Sequence, residues 1–284
     1  MTSDTAFHQI GIVGTGRVAA AFALALQAAS ALPILLWGRS AERLSALVGH
    51  SGGPVAARDL AQMALDCDAV ILAVADDAID AVVADLALAD VPAFICHVSG
   101  RSGVASLAPL AAQGAMTAAV HPVMTFTGHP AQEAQRMAGA RFAVTASGEG
   151  ALALAHRIVA CLKGVAVDIP EAQRALYHAA LCHAANHLVT LLAGSGRALA
   201  AAGVEEPSAL LAPLVRAALD NSLAHGFSAL SGPLLRGDGH TIANHLAAME
   251  QGCPDLTPAY RAMALATLDE LGRGDPVLRA MLKG

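Results

Sequence analysis

Aromatic residues make up only 3% of this 284-residue chain, and charged residues only 14%. A core with few rings must be filled by small and branched side chains. The 55% of hydrophobic residues, with alanine prominent among them, suffices for one large domain or two smaller ones, and predicts a close-packed, helix-rich interior. Basic runs are missing as well. With a formal charge of −6 and no stretch able to neutralise a phosphate backbone, the chain is not expected to bind nucleic acid. A small anion held by a local arginine stays open. Cys67, Cys96, Cys161, Cys182 and Cys253 are odd in number and form no C-x-x-C pair. That argues against a zinc knuckle or a disulfide framework and fits a reducing compartment.

Charge is also absent from "VAAAFALALQAASALPILLW", residues 18–37, and length alone would license a membrane span. The segment is Ala-rich rather than Leu-rich, and Pro33 divides a helical half from a strand-like half. It follows a glycine-rich turn, not a basic leader. We read it as a buried helix plus strand in a cytoplasmic protein with no membrane partner.

What is present begins with "HQIGIVGTGRVAAAFALAL". A short apolar run, Ile10 to Val13, meets Gly14-Thr15-Gly16-Arg17-Val18-Ala19 and then a segment of helical period. This is G-x-G-x-x-A in the strand–turn–helix setting of a dinucleotide fingerprint. Gly14 permits the tight turn, Gly16 lets the backbone approach a pyrophosphate, and Ala19 lets the helix pack close to the sheet. The free N–H groups at the helix start then hold the diphosphate. The second strand, "PILLWGRS", lacks the acid that usually holds the ribose hydroxyls of NAD. It ends in Gly38-Arg39-Ser40, and the first acid is Glu42. Arg39 can pair with a 2′-phosphate and Ser40 can donate a hydrogen bond to it, so the expected cofactor is NADP(H).

Strands at 69–74, 93–99, 115–122, 141–146 and "VAVDI" alternate with helical segments. This argues a Rossmann-like, doubly wound parallel α/β sheet over residues 1–168. Ligands of such sheets sit outside the carboxyl ends of the strands. That position singles out Ala75 and Asp76, His97 and Ser99-Gly100, and His121-Pro122. From Pro170 strand signals stop, and residues 169–284 read as an all-helical domain. One long helix is expected over 171–202, with others near 207–230, 238–250, 256–273 and 275–282. The large apolar surface suggests a homodimer through this domain.

The long helix carries "LYHAALCHAANHLV", residues 176–189, where polar groups need partners. At about 100° per helical residue, Cys182 falls about 40° and Asn186 about 80° from His178, on one stripe. His183 and His187 form a neighbouring i, i+4 pair. Position 184 is Ala, not the Glu of H-E-x-x-H, and the two histidines of "HTIANH" lie about 140° apart. No metal site is expected, and His183 and His187 read as core histidines. His178 and Asn186, just after the sheet domain, read as site residues.

The motifs "GIVGTGRVA", "AVADDAI", "HVSG", "HPVMTF", "YHAALCHAANHLV" and "LSGPLLRGD" span nearly the whole chain. On them the chain resembles bacterial NADP-dependent oxidoreductases that join a Rossmann-like domain to a helical C-terminal domain of long-unassigned function. The wider group is similar in plan to pyrroline-5-carboxylate reductase, ketopantoate reductase and the β-hydroxyacid dehydrogenases. The last carry a catalytic Lys one turn before an Asn. Asn186 fits that Asn, but the Lys position is Cys182, which leaves His178 as the nearest proton donor. The resemblance implies a reductase, and some members look like an alternative ketopantoate reductase.

The expected reaction is hydride transfer from NADPH to the carbonyl of a small 2-keto acid. His178 would supply the proton and Asn186 a hydrogen bond. Thr125 and His121 would orient the substrate, and Arg236 would pair with its carboxylate or stand as a helix-end charge. The alternatives are an imine reductase of the pyrroline-5-carboxylate type, a non-catalytic NADP(H)-binding protein and, more distantly, a deazaflavin-linked oxidoreductase.

Overall fold

A computed structural model describes residues 6–48, 53–88, 91, 93–272 and 274–284. It divides into two compact units, Met1–Ala180 and Leu181–Gly284.

The first unit is built on an eight-stranded sheet. Its strands are β1 (Ile10–Val13), β2 (Leu35–Trp37), β3 (Val55–Ala56), β4 (Ala69–Leu72), β5 (Phe94–His97), β6 (Met116–Pro122), β7 (Arg141–Ala146) and β8 (Val165–Asp168), in the order β3-β2-β1-β4-β5-β6-β7-β8. Side chains alternate between the faces with the period of two that a pleated strand imposes. Ala69 and Ile71 of β4, with Phe94 and Cys96 of β5, enter one buried cluster with Phe22 and Phe142. Val70, Leu72 and Ile95 enter a second with Met63, Ile79 and Val83. Both faces are therefore covered, which is why these strands read as unbroken apolar runs.

The covering helices are α1 (Arg17–Leu26), α2 (Ala41–Leu47), α3 (Leu60–Asp66), α4 (Ile79–Leu86), α5 (Ala108–Ala111), α6 (Pro130–Met137) and α7 (Glu149–Cys161). Residues 18–37 form most of α1, a short 3₁₀ turn and β2. Among the described residues no helix is long and apolar enough to cross a membrane. The two-residue β3 and the helices α3 and α6 lie outside the elements expected from periodicity.

The sheet is mostly, not wholly, parallel. β7 runs antiparallel to β6, and β8 runs parallel to β7. β6 continues past the last pair with β5 (His97↔Ala119) to Pro122, while Asp168 of β8 comes level with Val120 through Val144. The chain thus leaves β8 near the height of the β5 carboxyl end, where the candidate residues stand. The first unit then continues through Glu171–Gln173 into α8 (Arg174–Leu181), beyond the point at which strand signals stop.

The single helix expected over 171–202 is interrupted. A π-turn at Cys182–Asn186 separates α8 from α9 (His187–Ala201). A π-turn closes i→i+5 bonds and advances by a smaller angle per residue than an α-helix. The 100° arithmetic that aligned Cys182 with Asn186 therefore fails. His178 belongs to the first unit and Asn186 to the second.

In the second unit, α10 (Pro207–His225), α11 (Pro233–Arg236), α12 (Gly239–Gly252), α13 (Thr257–Glu270) and α14 (Pro276–Lys283) follow α9. Its buried cluster is small, formed by Ile242, Leu246, Ala264, Leu268, Leu278 and Leu282 of α12 to α14. α10 buries no residue, and α9 buries only Gly194.

Candidate active site

The glycine turn has the geometry its residues require. Gly14 has φ +136°, and a Cβ there would come within 2.2 Å of the Ala73 carbonyl oxygen. Gly38 approaches the turn just as closely, since its Cβ would meet Thr15 Cγ2 at 2.5 Å. These contacts bring the carboxyl ends of β1, β2 and β4 around a cleft of about 380 Å³ whose lining includes Gly14, Thr15, Gly16, Arg39, Ser40 and Ala75, with Trp37 beside them. Gly16 precedes α1, whose first turn holds no acid and no side-chain cap, and a Cβ on Gly16 would meet no heavy atom within 4 Å. The first N–H groups of α1 are left without a side-chain cap beside a favourable dipole, which suits them to a diphosphate. Val18 is half-buried behind them. Arg17 points elsewhere and donates to the Phe126 carbonyl at 3.3 Å, tying the glycine turn to the loop after β6.

The end of β2 fits a 2′-phosphate. Ser40 caps α2 by accepting from the Arg43 N–H at 3.2 Å, which leaves the hydroxyl proton free to donate. Arg43 lines the cleft beside Arg39. The sequence reading missed Arg43, although a second arginine one turn into the helix that Ser40 caps was a visible signal. The dinucleotide, when bound, supplies the hydride of the reaction.

At the ends of β4 and β5 the structure gives Asp76, His97 and Ser99 partners within the protein. Asp76 pairs with Arg101 at 3.3 Å, both partly exposed. His97 is fully buried. Its Nε2 is 2.9 Å from the Gly103 carbonyl oxygen and its Nδ1 accepts from the Ser99 N–H. Burial holds its pKa below the ordinary histidine value. Ser99 is also buried, with Oγ accepting from the Ser102 N–H. These two buried side chains spend their hydrogen bonds on the 99–103 loop, which they shape from inside.

That loop receives the start of α8. Glu171 accepts from the N–H groups of Val104 and Ala105, and a Cβ on Gly103 would strike its carboxylate. One turn on, Arg174 is 2% exposed. Its guanidinium donates to the carbonyl oxygens of Ser102 (2.9 Å), Ser99 (2.8 Å) and Ala143 (3.4 Å) and to Thr145 Oγ1 (2.9 Å). Burial lowers its pKa from the arginine value. Arg174 fixes the rotation of α8 and so carries Tyr177 and His178 to the end of β6. There, Tyr177 Oη is hydrogen-bonded to His121 Nδ1 at 2.7 Å. The His121 and His178 rings meet edge to face at 6.4 Å. A Cβ on Gly100 would come within 2.7 Å of His178 Cδ2 and 2.9 Å of His121 Nε2, so the two rings close on a spot that only glycine leaves open. Burial, then the charges of Arg174 and His178, push the His121 pKa down to about 4. The structure thus gathers His121 and His178, two of the residues singled out in the sequence, and adds Tyr177 and Arg174, which sequence reasoning missed.

Thr125 is exposed in the loop after β6. Further along that loop, buried Glu133 of α6 accepts from the N–H groups of Thr127, Gly128 and His129. Burial works to raise its carboxyl pKa, but the N–H groups outweigh it and hold it below the usual range.

In the second unit, Asn186, His183 and His187 are exposed, so the two histidines are not core residues. Their Nδ1 atoms lie 3.0 Å apart. Arg236 is exposed in the last turn of α11, just before Gly237 (φ +72°) and Asp238, which caps α12. Among the described residues no group of three or more metal-ligating side chains occurs.

The doubly wound sheet with its glycine turn defines the class: a dinucleotide-binding oxidoreductase domain followed by a helical one. Residues 9–96 match the family "NADP oxidoreductase coenzyme F420-dependent", and residues 140–267 match a domain of unknown function, DUF2520. The chain is an NADP-dependent oxidoreductase that joins these two domains. No curated protein matches it in sequence.

Among solved structures it is similar to a protein from Thermotoga maritima (22% identity, 92% of this chain and 97% of that one, TM-score 0.69). It is also similar to 1-pyrroline-5-carboxylate reductase from Streptococcus pyogenes (20%, 94% and 98%, 0.66). A third likeness is a reductive aminase from Aspergillus terreus in complex with NADPH and ethyl-5-oxohexanoate (18%, 97% and 92%, 0.59). At these identities the likeness is one of fold.

Proposed function

We propose that the protein is an NADPH-dependent reductase that transfers a hydride to the carbonyl of a small 2-keto acid, with ketopantoate the first candidate. The observation that carries the reading is the group His121, Tyr177 and His178 at the same strand rim as the glycine turn. Carbonyl reduction needs a hydride donor and a proton donor side by side. In this reading His121 and Thr125 orient the substrate and His178 contacts its reacting oxygen.

The test is NADPH consumption by the purified chain with ketopantoate, other 2-keto acids and cyclic imines, with NADH in parallel. Turnover on a keto acid with a clear NADPH preference is expected. His178→Ala should lower kcat roughly tenfold while NADPH still binds, and an unchanged kcat would remove His178 from the reaction. Turnover on imines alone would move the assignment to an imine reductase, a reading favoured by the fold shared with pyrroline-5-carboxylate reductase and reductive aminase. Tight NADPH binding without any turnover would favour a non-catalytic nucleotide-binding role.

The same reading makes the protein a cytoplasmic homodimer through the helical unit. α10 leaves Leu210, Leu214, Leu219 and Leu223 exposed. At about 100° per residue the first pair lies roughly opposite the second, and a helix apolar on opposite sides belongs in an interior. Light scattering should return twice the chain mass, and Leu214→Asp with Leu223→Asp should halve it. A monomeric wild type would rule the dimer out.

A further inference from the structure

His121 and Tyr177 stand 56 positions apart in the chain, yet Nδ1 and Oη are 2.7 Å apart. The contact is built rather than incidental. The histidine comes from the end of β6, and the tyrosine from a helix whose first residue, Arg174, is locked into the sheet by its carbonyl and hydroxyl partners. The two rings meet edge to face at 5.9 Å and 81°. The Arg174 guanidinium carbon lies 5.7 Å from the tyrosine ring centroid. All hydrogen bonds of that guanidinium go to carbonyl and hydroxyl oxygens, so they leave its positive charge uncancelled. Both members of the pair are only partly buried, so a substrate can reach them.

Resting on the reductase reading above, we infer that Tyr177 is the proton donor of the reduction and that His121, in its neutral Nδ1–H form, returns a proton to it. In that tautomer Nδ1–H donates to Tyr177 Oη, and the hydroxyl keeps its own proton for the substrate. The carbonyl carbon accepts the hydride supplied by NADPH, which is oxidised to NADP⁺. The C=O π pair moves onto oxygen, and that oxygen takes the Oη proton. The Nδ1 proton passes to Oη as Nε2 takes a proton from solvent water, and the hydroxide left is neutralised by the buffer, so the one proton consumed by the reduction comes from solvent. The ring ends neutral with its proton on Nε2, and exchange with solvent restores the starting form.

The surroundings favour this order of events. Burial, with the Arg174 and His178 charges added, pushes His121 down to about 4, while Asp76 works the other way and His97 adds slightly to the depression. The ring is therefore neutral where a cytoplasmic reductase works. Burial raises the Tyr177 pKa while Arg174 lowers it, so the hydroxyl is protonated at rest and its developing negative charge is stabilised during transfer. Glu171, the carboxylate beside this corner, is occupied by the Val104 and Ala105 N–H groups.

Tyr177→Phe keeps the ring and removes only the hydroxyl. It would be compared with the wild type and His178→Ala on the best substrate of the carbonyl and imine panel. NADPH affinity would be read in parallel by fluorescence of Trp37, the chain's single tryptophan, which lines the nucleotide cleft. Kcat of Tyr177→Phe should fall about a hundredfold or more with NADPH affinity unchanged, a larger loss than His178→Ala produces. Nitrogen NMR of the histidine rings should show His121 protonated on Nδ1 in the wild type and its Nδ1 signal displaced in Tyr177→Phe. Wild-type turnover in Tyr177→Phe, or a His121 ring carrying its proton on Nε2, overturns the inference. A collapse of His178→Ala alone overturns it too, while leaving the reductase reading standing. A wild-type chain that binds NADPH but consumes it with no carbonyl or imine removes both.

Discussion

Replacing Arg174 with methionine should destabilise the first unit by about 3–5 kcal/mol, one of the largest effects available from a single side chain in this protein. A guanidinium that is 2% exposed has given up its hydration, and the oxygens of Ser99, Ser102, Ala143 and Thr145 replace that water. Methionine has similar reach and no donors. It would leave those acceptors unsatisfied, at about 1–3 kcal/mol for each that water cannot reach. The melting temperature should drop by about 10 °C, and fluorescence or circular dichroism would read it. Arg174→Lys should fall between the two, since one ammonium cannot span the acceptors that a planar fork reaches. A melting temperature within about 2 °C of the wild type for Arg174→Met would show that the loop and strand carbonyls find other partners.

The double substitution Arg39→Ala, Arg43→Ala should weaken NADPH binding about a hundredfold or more and leave NADH binding nearly unchanged. A hydrogen bond between charged partners contributes about 1.5–3 kcal/mol, and both arginines line the cleft beside the Ser40 hydroxyl. The chain as a whole carries a formal charge of −6, so attraction for a 2′-phosphate must be local. Quenching of Trp37 by either nucleotide provides the measurement. Equal weakening of NADPH and NADH would mean that the pair supports the cleft in general and does not read the 2′-phosphate.

Much of the first unit was legible before any tertiary contact was known. Ile10–Val13 followed by Gly14-Thr15-Gly16 and an alanine-rich helix is a local pattern, because each glycine answers to neighbours that the same turn dictates. Strands β4 and β5 showed themselves as apolar runs because both of their faces are covered, whereas β8 was legible from its valines although they are exposed. The missing acid after β2 pointed to NADP(H) from its position alone, and the polar residues of 176–189 include His178, whose ring meets that of His121.

What the chain composition could not disclose were the partners. A histidine on a strand end looks the same whether it faces solvent or the inside of a loop. Only tertiary structure separates His97, which is buried and joined to Gly103, from His121, which is joined to Tyr177. The direction of β7 is likewise invisible in "RFAVTA", since alternation along a strand carries no sign. The π-turn at Cys182–Asn186 breaks the even angular period on which a helical wheel depends, so residues aligned by counting do not stay aligned.

Periodicity, glycine spacing and missing charges are properties of neighbouring residues, and through them the sequence by itself determined the fold class and the cofactor. The tertiary structure alone decided which side chains meet. Arg174 reaches partners 29 to 75 positions away, a separation over which no local pattern holds, and it is that buried cation which brings Tyr177 to His121.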